Sequence, residues 1–126
     1  MFDKTNLLLV ALGGMIGSVL RYMLSVFVSS RFSSTTIPWG TFTVNILGSF
    51  VIGLVSGLGI RNQQFELQWR LFLATGVCGG FTTFSALSNE SYILLKEQQF
   101  TPFFIYIAVS LVLGIMATAL GYLITK

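Results

Sequence analysis

The sequence predicts an all-α integral membrane protein built from four transmembrane helices, and three observations lead there. Of 126 residues, 54% are hydrophobic and only 9% charged, with a mean hydropathy of +0.84. A soluble domain of this size carries roughly 25% charged residues. The charges also avoid the long apolar runs: 41–60 and 100–125 contain none, 71–95 only Glu90, and 5–28 only Arg21. Runs of this length match the roughly 20 apolar residues that cross the hydrocarbon core as a helix, and the alternation of a lipid-facing barrel strand is absent. The reading is one domain, 1–126, with helices at about 5–28, 41–60, 71–95 and 101–125.

The first run is too long for a secretory signal, shows no small-x-small cleavage site, and is followed by three further spans, so it reads as a retained helix. The connections, about 29–40, 61–70 and 96–99, have no room for a soluble domain. Function therefore lies inside the bilayer. Cys78 is the single cysteine and reads as a small apolar residue within a span. There is no histidine, and the four acids (Asp3, Glu66, Glu90, Glu97) form no ligand cluster. A catalytic metal or a nucleophile–base pair has almost no material, so an enzyme is not expected. The net charge of +3 is scattered along the loops, which argues against nucleic acid as a partner.

Four spans place Lys4, Arg61, Arg70 and Lys126 on one side, and Arg31, Lys96 and Arg21 on the other. Asymmetry in Lys and Arg sets orientation, and a split of four against three is nearly none. Two readings stay open: insertion both ways round, which permits pairing with an inverted copy, or a weak bias settled by the first helix. Four short helices shield a polar pathway poorly, which favours an oligomer, a twofold dimer first.

In the first span Gly13, Gly17 and Arg21 are four apart and share a face. Small residues at this spacing let helix backbones approach, and the charge then points into protein or a wet vestibule, or snorkels to the headgroups. In the second, Thr41, Asn45 and Gly48 share one face, while Ser49, Gly53, Ser56 and Gly57 form a packing face. Asn45 offers two N–H donors and one acceptor and must find partners at that depth; an interhelical hydrogen bond is the plain expectation.

The third span holds "GGFTTFS", Gly79 to Ser85. Gly76, Gly79 and Gly80 weaken a helix by roughly 1 kcal/mol each, and an interruption there frees backbone groups. Irregular backbone at membrane depth survives only inside protein or beside a polar cavity, and its carbonyls are placed to coordinate cations. Thr82, Ser85 and Asn89 then share a face, Phe81, Phe84 and Ser88 the next, and Thr83 and Glu90 a third. Phenyl rings are most often packing residues, and membrane serines and threonines most often bond their own carbonyls. Together with Asn45, however, ring edges and hydroxyls make a conduit that welcomes a small anion without a full positive charge to trap it. In the fourth span Tyr106 and Ser110 precede Gly114, Ala117 and Gly121 on nearly one side; the small residues suit close packing and the first two suit a cavity wall.

These residues resemble a known family. "GGFTTFS" with Glu90, "GxxxGSxxRY" (Gly13 to Tyr22) and "PWGTFTVN" (Pro38 to Asn45) look like the Fluc or CrcB-type fluoride channels, and the likeness runs in order along the whole chain. The resemblance implies an antiparallel, dual-topology homodimer with a broken third helix and two pores. It implies passive, fluoride-selective export across the bacterial inner (plasma) membrane, giving fluoride resistance. By position Phe81 and Phe84 match the paired pore phenylalanines, Asn45 the pore asparagine, and Thr82, Thr83 and Ser85 the hydroxyl-bearing stretch. Tyr106 and Ser110 match a pore tyrosine and a vestibule serine. Gly76 and Gly79 match the break whose carbonyls hold a structural sodium ion at the dimer centre. Arg21 matches an arginine with a structural or electrostatic role. The family often continues "FSTFS", whereas Phe84-Ser85-Ala86-Leu87-Ser88 lacks that Thr and Phe. The departure leaves the Phe81/Phe84 pair intact and changes contacts further along the helix. The rival is a small four-helix, dual-topology, proton-coupled drug exporter, but such proteins carry a membrane-embedded acid in their first helix. Here that span has no acid after Asp3, and its interior charge is Arg21. A non-transporting assembly subunit leaves the third span's irregularity without purpose.

Overall fold

The protein was analysed as a computed structural model that describes residues 2–33, 35–62 and 67–126. Glu66, one of the four acids, and parts of the 29–40 and 61–70 connections lie outside the described residues. The regular elements among the described residues are all helical, without a strand, and four helices are long and apolar enough to cross a membrane: Lys4–Arg31, Trp39–Arg61, Leu67–Lys96 and Phe100–Thr125.

Helix α1 (Lys4–Arg31) starts where the Asp3 carboxylate accepts the Thr5 N–H at 2.8 Å, an N-cap that satisfies an otherwise orphan donor. It ends with Arg31 over the Phe27 ring, 5.0 Å from its centroid. Helix α2 (Trp39–Arg61) begins after Pro38, whose missing N–H costs nothing at a helix start. The third span opens as α3 (Leu67–Arg70), passes through a π-helical stretch (Leu71–Cys78) and tightens into α4 (Gly79–Phe81). Thr82 (φ −81°, ψ 155°) and Thr83 (φ −149°, ψ 113°) are extended, and α5 (Phe84–Lys96) follows. A tight turn with Gln98 at φ 60° leads to α6 (Phe100–Thr125); Gln98 and Gln99 donate their N–H groups to Leu95 and Leu94, closing the carbonyl end of α5.

Glycines set how the helices meet. A Cβ on Gly13 would lie 2.8 Å from the Gly76 Cα, and one on Gly80 would lie 2.5 Å from the Gly14 carbonyl oxygen, so α1 crosses the third span backbone against backbone. Gly17 sits equally close to Val77 and Phe81. Gly76 and Gly80 are thus contact surfaces for α1; Gly79, between them, is itself helical (φ −63°, ψ −38°), and the extended residues come later, at Thr82–Thr83. Close fit against α1, which sequence periodicity does not reveal, keeps Gly76 to Gly80 wound. The broadest helix contact joins α2 to α6. Gly53 and Gly57 face the Thr118 and Tyr122 carbonyls, Gly121 faces the backbone of Phe50 and Leu54, and Thr118 and Thr125 donate hydroxyls to the Ser49 and Leu54 carbonyls at 3.0 and 2.8 Å. Ser56, by contrast, is exposed, because the packing face turns through Gly53 and Gly57.

The bundle is thin. Its accessible surface is 8286 Å², against roughly 6,600 Å² for a compact soluble chain of this mass. Large apolar side chains of every span are exposed, and the described core is confined to a few residues such as Val44, Val55 and Leu94. Such a surface suits hydrocarbon, not water.

Candidate functional site

The extended pair lies at the middle of the third span, where water is unavailable to satisfy freed backbone groups. Protein does so instead. Asn45, on the face of α2 that meets this span, accepts the Thr83 N–H at 2.8 Å and donates Nδ2–H to the Thr83 carbonyl at 3.2 Å. One carboxamide therefore replaces both hydrogen bonds of a ladder, and its second Nδ2 hydrogen has no partner among the described residues. The interhelical role expected of Asn45 is met by backbone, not by another side chain. On the far side, Arg21 Nε–H donates to the Gly80 carbonyl at 3.0 Å.

The hydroxyls divide their work. Thr82 Oγ1 donates back to the Cys78 carbonyl at 2.8 Å, the usual habit of a membrane threonine. Thr83 Oγ1 accepts the Ala86 N–H at 3.1 Å as the N-cap of α5 and lies 3.1 Å from Ser85 Oγ.

Beside this strip runs a groove of about 440 Å³, lined by Asn45, Ser49, Gly79, Thr82, Thr83, Phe84 and Leu87 among others. Among the described residues, no charged side chain lines it. Phe84 stands at its edge, 80% exposed in the protomer. Phe81 is placed differently: its ring lies against Gly48, where a Cβ would come within 3.1 Å of Cδ1. The two rings, three residues apart across the extended pair, do not share the groove. Leu87, one helical turn beyond Phe84, takes the place beside it.

Along α2 the groove meets a second depression through Ser49, which lines both; Ser110, Gly114 and Thr118 of α6 also line the second. The Ser110 hydroxyl is buried without a protein partner. Tyr106, paired with Ser110 by spacing, points elsewhere. It is 1% exposed and donates its hydroxyl to Glu90 Oε2 at 2.8 Å, while Thr41 donates to Glu90 Oε1 at 2.6 Å. Both carboxylate oxygens of Glu90 are thus held by hydroxyls from α2 and α6. Sequence spacing placed Glu90 beside Thr83 but offered no sign of Thr41 or Tyr106, which are 49 and 16 positions away. A cavity of about 250 Å³ joins Glu90 to Arg21, Tyr22, Thr41 and Thr83. Thr83 therefore lies between a groove lined by uncharged residues and a cavity lined by Arg21 and Glu90.

Among the described residues no group of three His, Cys, Asp or Glu side chains is close enough to hold a metal. Backbone carbonyls, hydroxyls and the Asn45 amide oxygen are the oxygen donors beside the groove. Because the Thr83 N–H goes to Asn45, the α-helical bond it would make to the Gly79 carbonyl is absent, and Gly79 lines the groove. The Gly76 carbonyl already accepts the Gly79 N–H, and Gly76 is buried against Gly13.

Comparison with known proteins adds a separate observation. A family model described as CrcB-like protein, Camphor Resistance (CrcB), matches residues 8–122. The chain is 51% identical over 120 residues to a fluoride-specific ion channel FluC of Phocaeicola vulgatus, covering 92% of this chain and 94% of that one. It is 46% identical over 114 residues to the protein of the same description from Leptospira interrogans (90% and 88% covered), and 47% identical over 116 residues to that of Agrobacterium fabrum (92% of each).

Proposed function

The chain belongs to the CrcB-like family, and we propose that it is a passive, fluoride-selective channel of the bacterial plasma membrane that exports fluoride. The observation that carries this reading is the strip Thr82–Thr83, unwound at the centre of a span and held by Asn45 beside an uncharged groove. In this reading the strip corresponds to the broken third helix that the resemblance implies. Fluoride is small and strongly hydrated, so its path must replace water with donors. The second Nδ2 hydrogen of Asn45, the one hydroxyl hydrogen left over by the Thr83–Ser85 pair, the Ser110 hydroxyl and the ring edge of Phe84 are such donors, while Thr82 lines the path with its own hydrogen committed to the Cys78 carbonyl. With no cation in the groove, the ion is welcomed weakly enough to leave again. Phe84 forms the exposed wall, Phe81 backs it from the Gly48 side, and Tyr106 acts on the pathway through Glu90.

Phe84 and the groove lie on the outside of one protomer, where lipid would meet them. A second, inverted copy closes each groove, giving an antiparallel homodimer with two pores. The nearly balanced loop charges support insertion in both orientations. A structural sodium ion at the dimer centre belongs to the same reading: hard cations take carbonyl oxygens, and Gly79 offers one without its helical Thr83 partner, whereas the Gly76 carbonyl already accepts the Gly79 N–H. Its charge would hold the facing subunits together. Nothing favours a proton-coupled drug exporter, since α1 carries no carboxylate.

Purified protein in liposomes loaded with fluoride is expected to discharge the gradient on addition of valinomycin, as read with a fluoride electrode, and to retain chloride under the same conditions. Proton-driven drug efflux without fluoride release would overturn the assignment. For the dimer, a cysteine introduced at Lys126 in a Cys78→Ser background is expected to react with an impermeant maleimide from both faces of the membrane, in comparable amounts. Labelling from one face alone would exclude dual topology.

A further inference from the structure

We propose that Arg21 is a positioning residue: its Nε–H holds the Gly80 carbonyl and so fixes the shape of the unwound strip from the side opposite Asn45. In an unbroken α-helix the Gly80 carbonyl would accept the N–H of Phe84. The extended Thr82 and Thr83 carry Phe84 out of that register, and the carbonyl accepts Arg21 Nε–H at 3.0 Å instead. Left without a partner at this depth, a carbonyl is costly. A cation is the favoured donor at a carbonyl end, where the aligned dipoles leave partial negative charge. Arg21 reaches the position because Gly13 and Gly17, on its own face of α1, bring that helix against the third span. Asn45 from α2 and Arg21 from α1 thus bracket Phe81, Thr82 and Thr83. Glu90, which shares a cavity with Arg21, has both oxygens occupied by the Thr41 and Tyr106 hydroxyls.

The competing role is electrostatic: the charge attracts anions and the hydrogen bond is incidental. Three substitutions separate the two. Glutamine carries an N–H donor the same number of bonds from Cα as arginine Nε, without the charge. Lysine keeps the charge but puts a methylene there. Methionine has neither.

Because the flux readout rests on the channel reading, a second readout is taken that does not: the ¹⁹F resonance of 4-fluorophenylalanine at position 84. Positioning predicts that Arg21→Gln keeps the maximal fluoride efflux within about threefold of the parent, while Arg21→Lys and Arg21→Met lose about tenfold or more. It also predicts that the position-84 resonance moves in the lysine variant and stays in the glutamine variant. A lysine variant that fails to assemble where the glutamine variant assembles has the same meaning. Lysine equal to or better than glutamine, or a resonance that no variant moves, would overturn the proposal. If the parent conducts no fluoride, the channel reading fails and the resonance still judges the clamp.

Discussion

Asn45→Asp is expected to slow fluoride efflux by about 100-fold or more while the protein remains folded. The two side chains have nearly the same volume, and Asp keeps the oxygen that accepts the Thr83 N–H. What changes is the other half of the carboxamide. The Nδ2–H that now donates to the Thr83 carbonyl becomes an acceptor facing an acceptor, and the spare hydrogen turned to the groove is lost. A negative charge also enters a groove with no cation among its lining residues. At an effective dielectric of 20, two like charges 4 Å apart repel by about 4 kcal/mol, enough for roughly a thousandfold in rate. The relief available to a half-exposed strip brings the expectation down to two decades. Initial efflux from liposomes, normalised to folded protein by size-exclusion chromatography, measures it. An unchanged rate would remove Asn45 from the conduction path.

Much of this architecture is legible in one dimension. Charge-free runs mark the spans, since a charge in hydrocarbon is costly. The four-residue spacing of Gly13, Gly17 and Arg21 marks a contact face, and the structure lays that face on Gly76, Val77 and Gly80. Asn45 is conspicuous because a carboxamide in an apolar run must have partners. What is not legible depends on which faces meet. The sequence points to three glycines as the weak place in the third span, yet the segment stays wound where α1 packs on Gly76 and Gly80, and the chain unwinds at two threonines. The difference follows from packing, not propensity.

Phe81 and Phe84 illustrate the same limit. Three residues apart on a helix they would share a face, but the extended pair between them sends one ring to Gly48 and the other to the groove's edge. Tyr106 and Ser110, on one face of a continuous helix, part for another reason. Glu90 draws the tyrosine hydroxyl inward, while Ser110 lies one turn along, over the α2–α6 groove. Thr41 carried no signal beyond its spacing from Asn45, and its hydroxyl proves to be half of the support for Glu90. Leu87 was noted as a departure from the family's sequence pattern; its position beside Phe84 puts that departure on the groove itself.

The most direct test of the groove as the ion path uses Phe84. In a Cys78→Ser background, Phe84→Cys provides a single thiol at the exposed edge of the groove. Fluoride efflux from liposomes is recorded before and after reaction with a bulky methanethiosulfonate reagent, with the extent of modification read by mass spectrometry. If fluoride passes between Asn45, the unwound threonines and position 84, efflux stops as modification nears completion, and a reducing agent restores it. Full modification with efflux unchanged would show that the ion travels elsewhere.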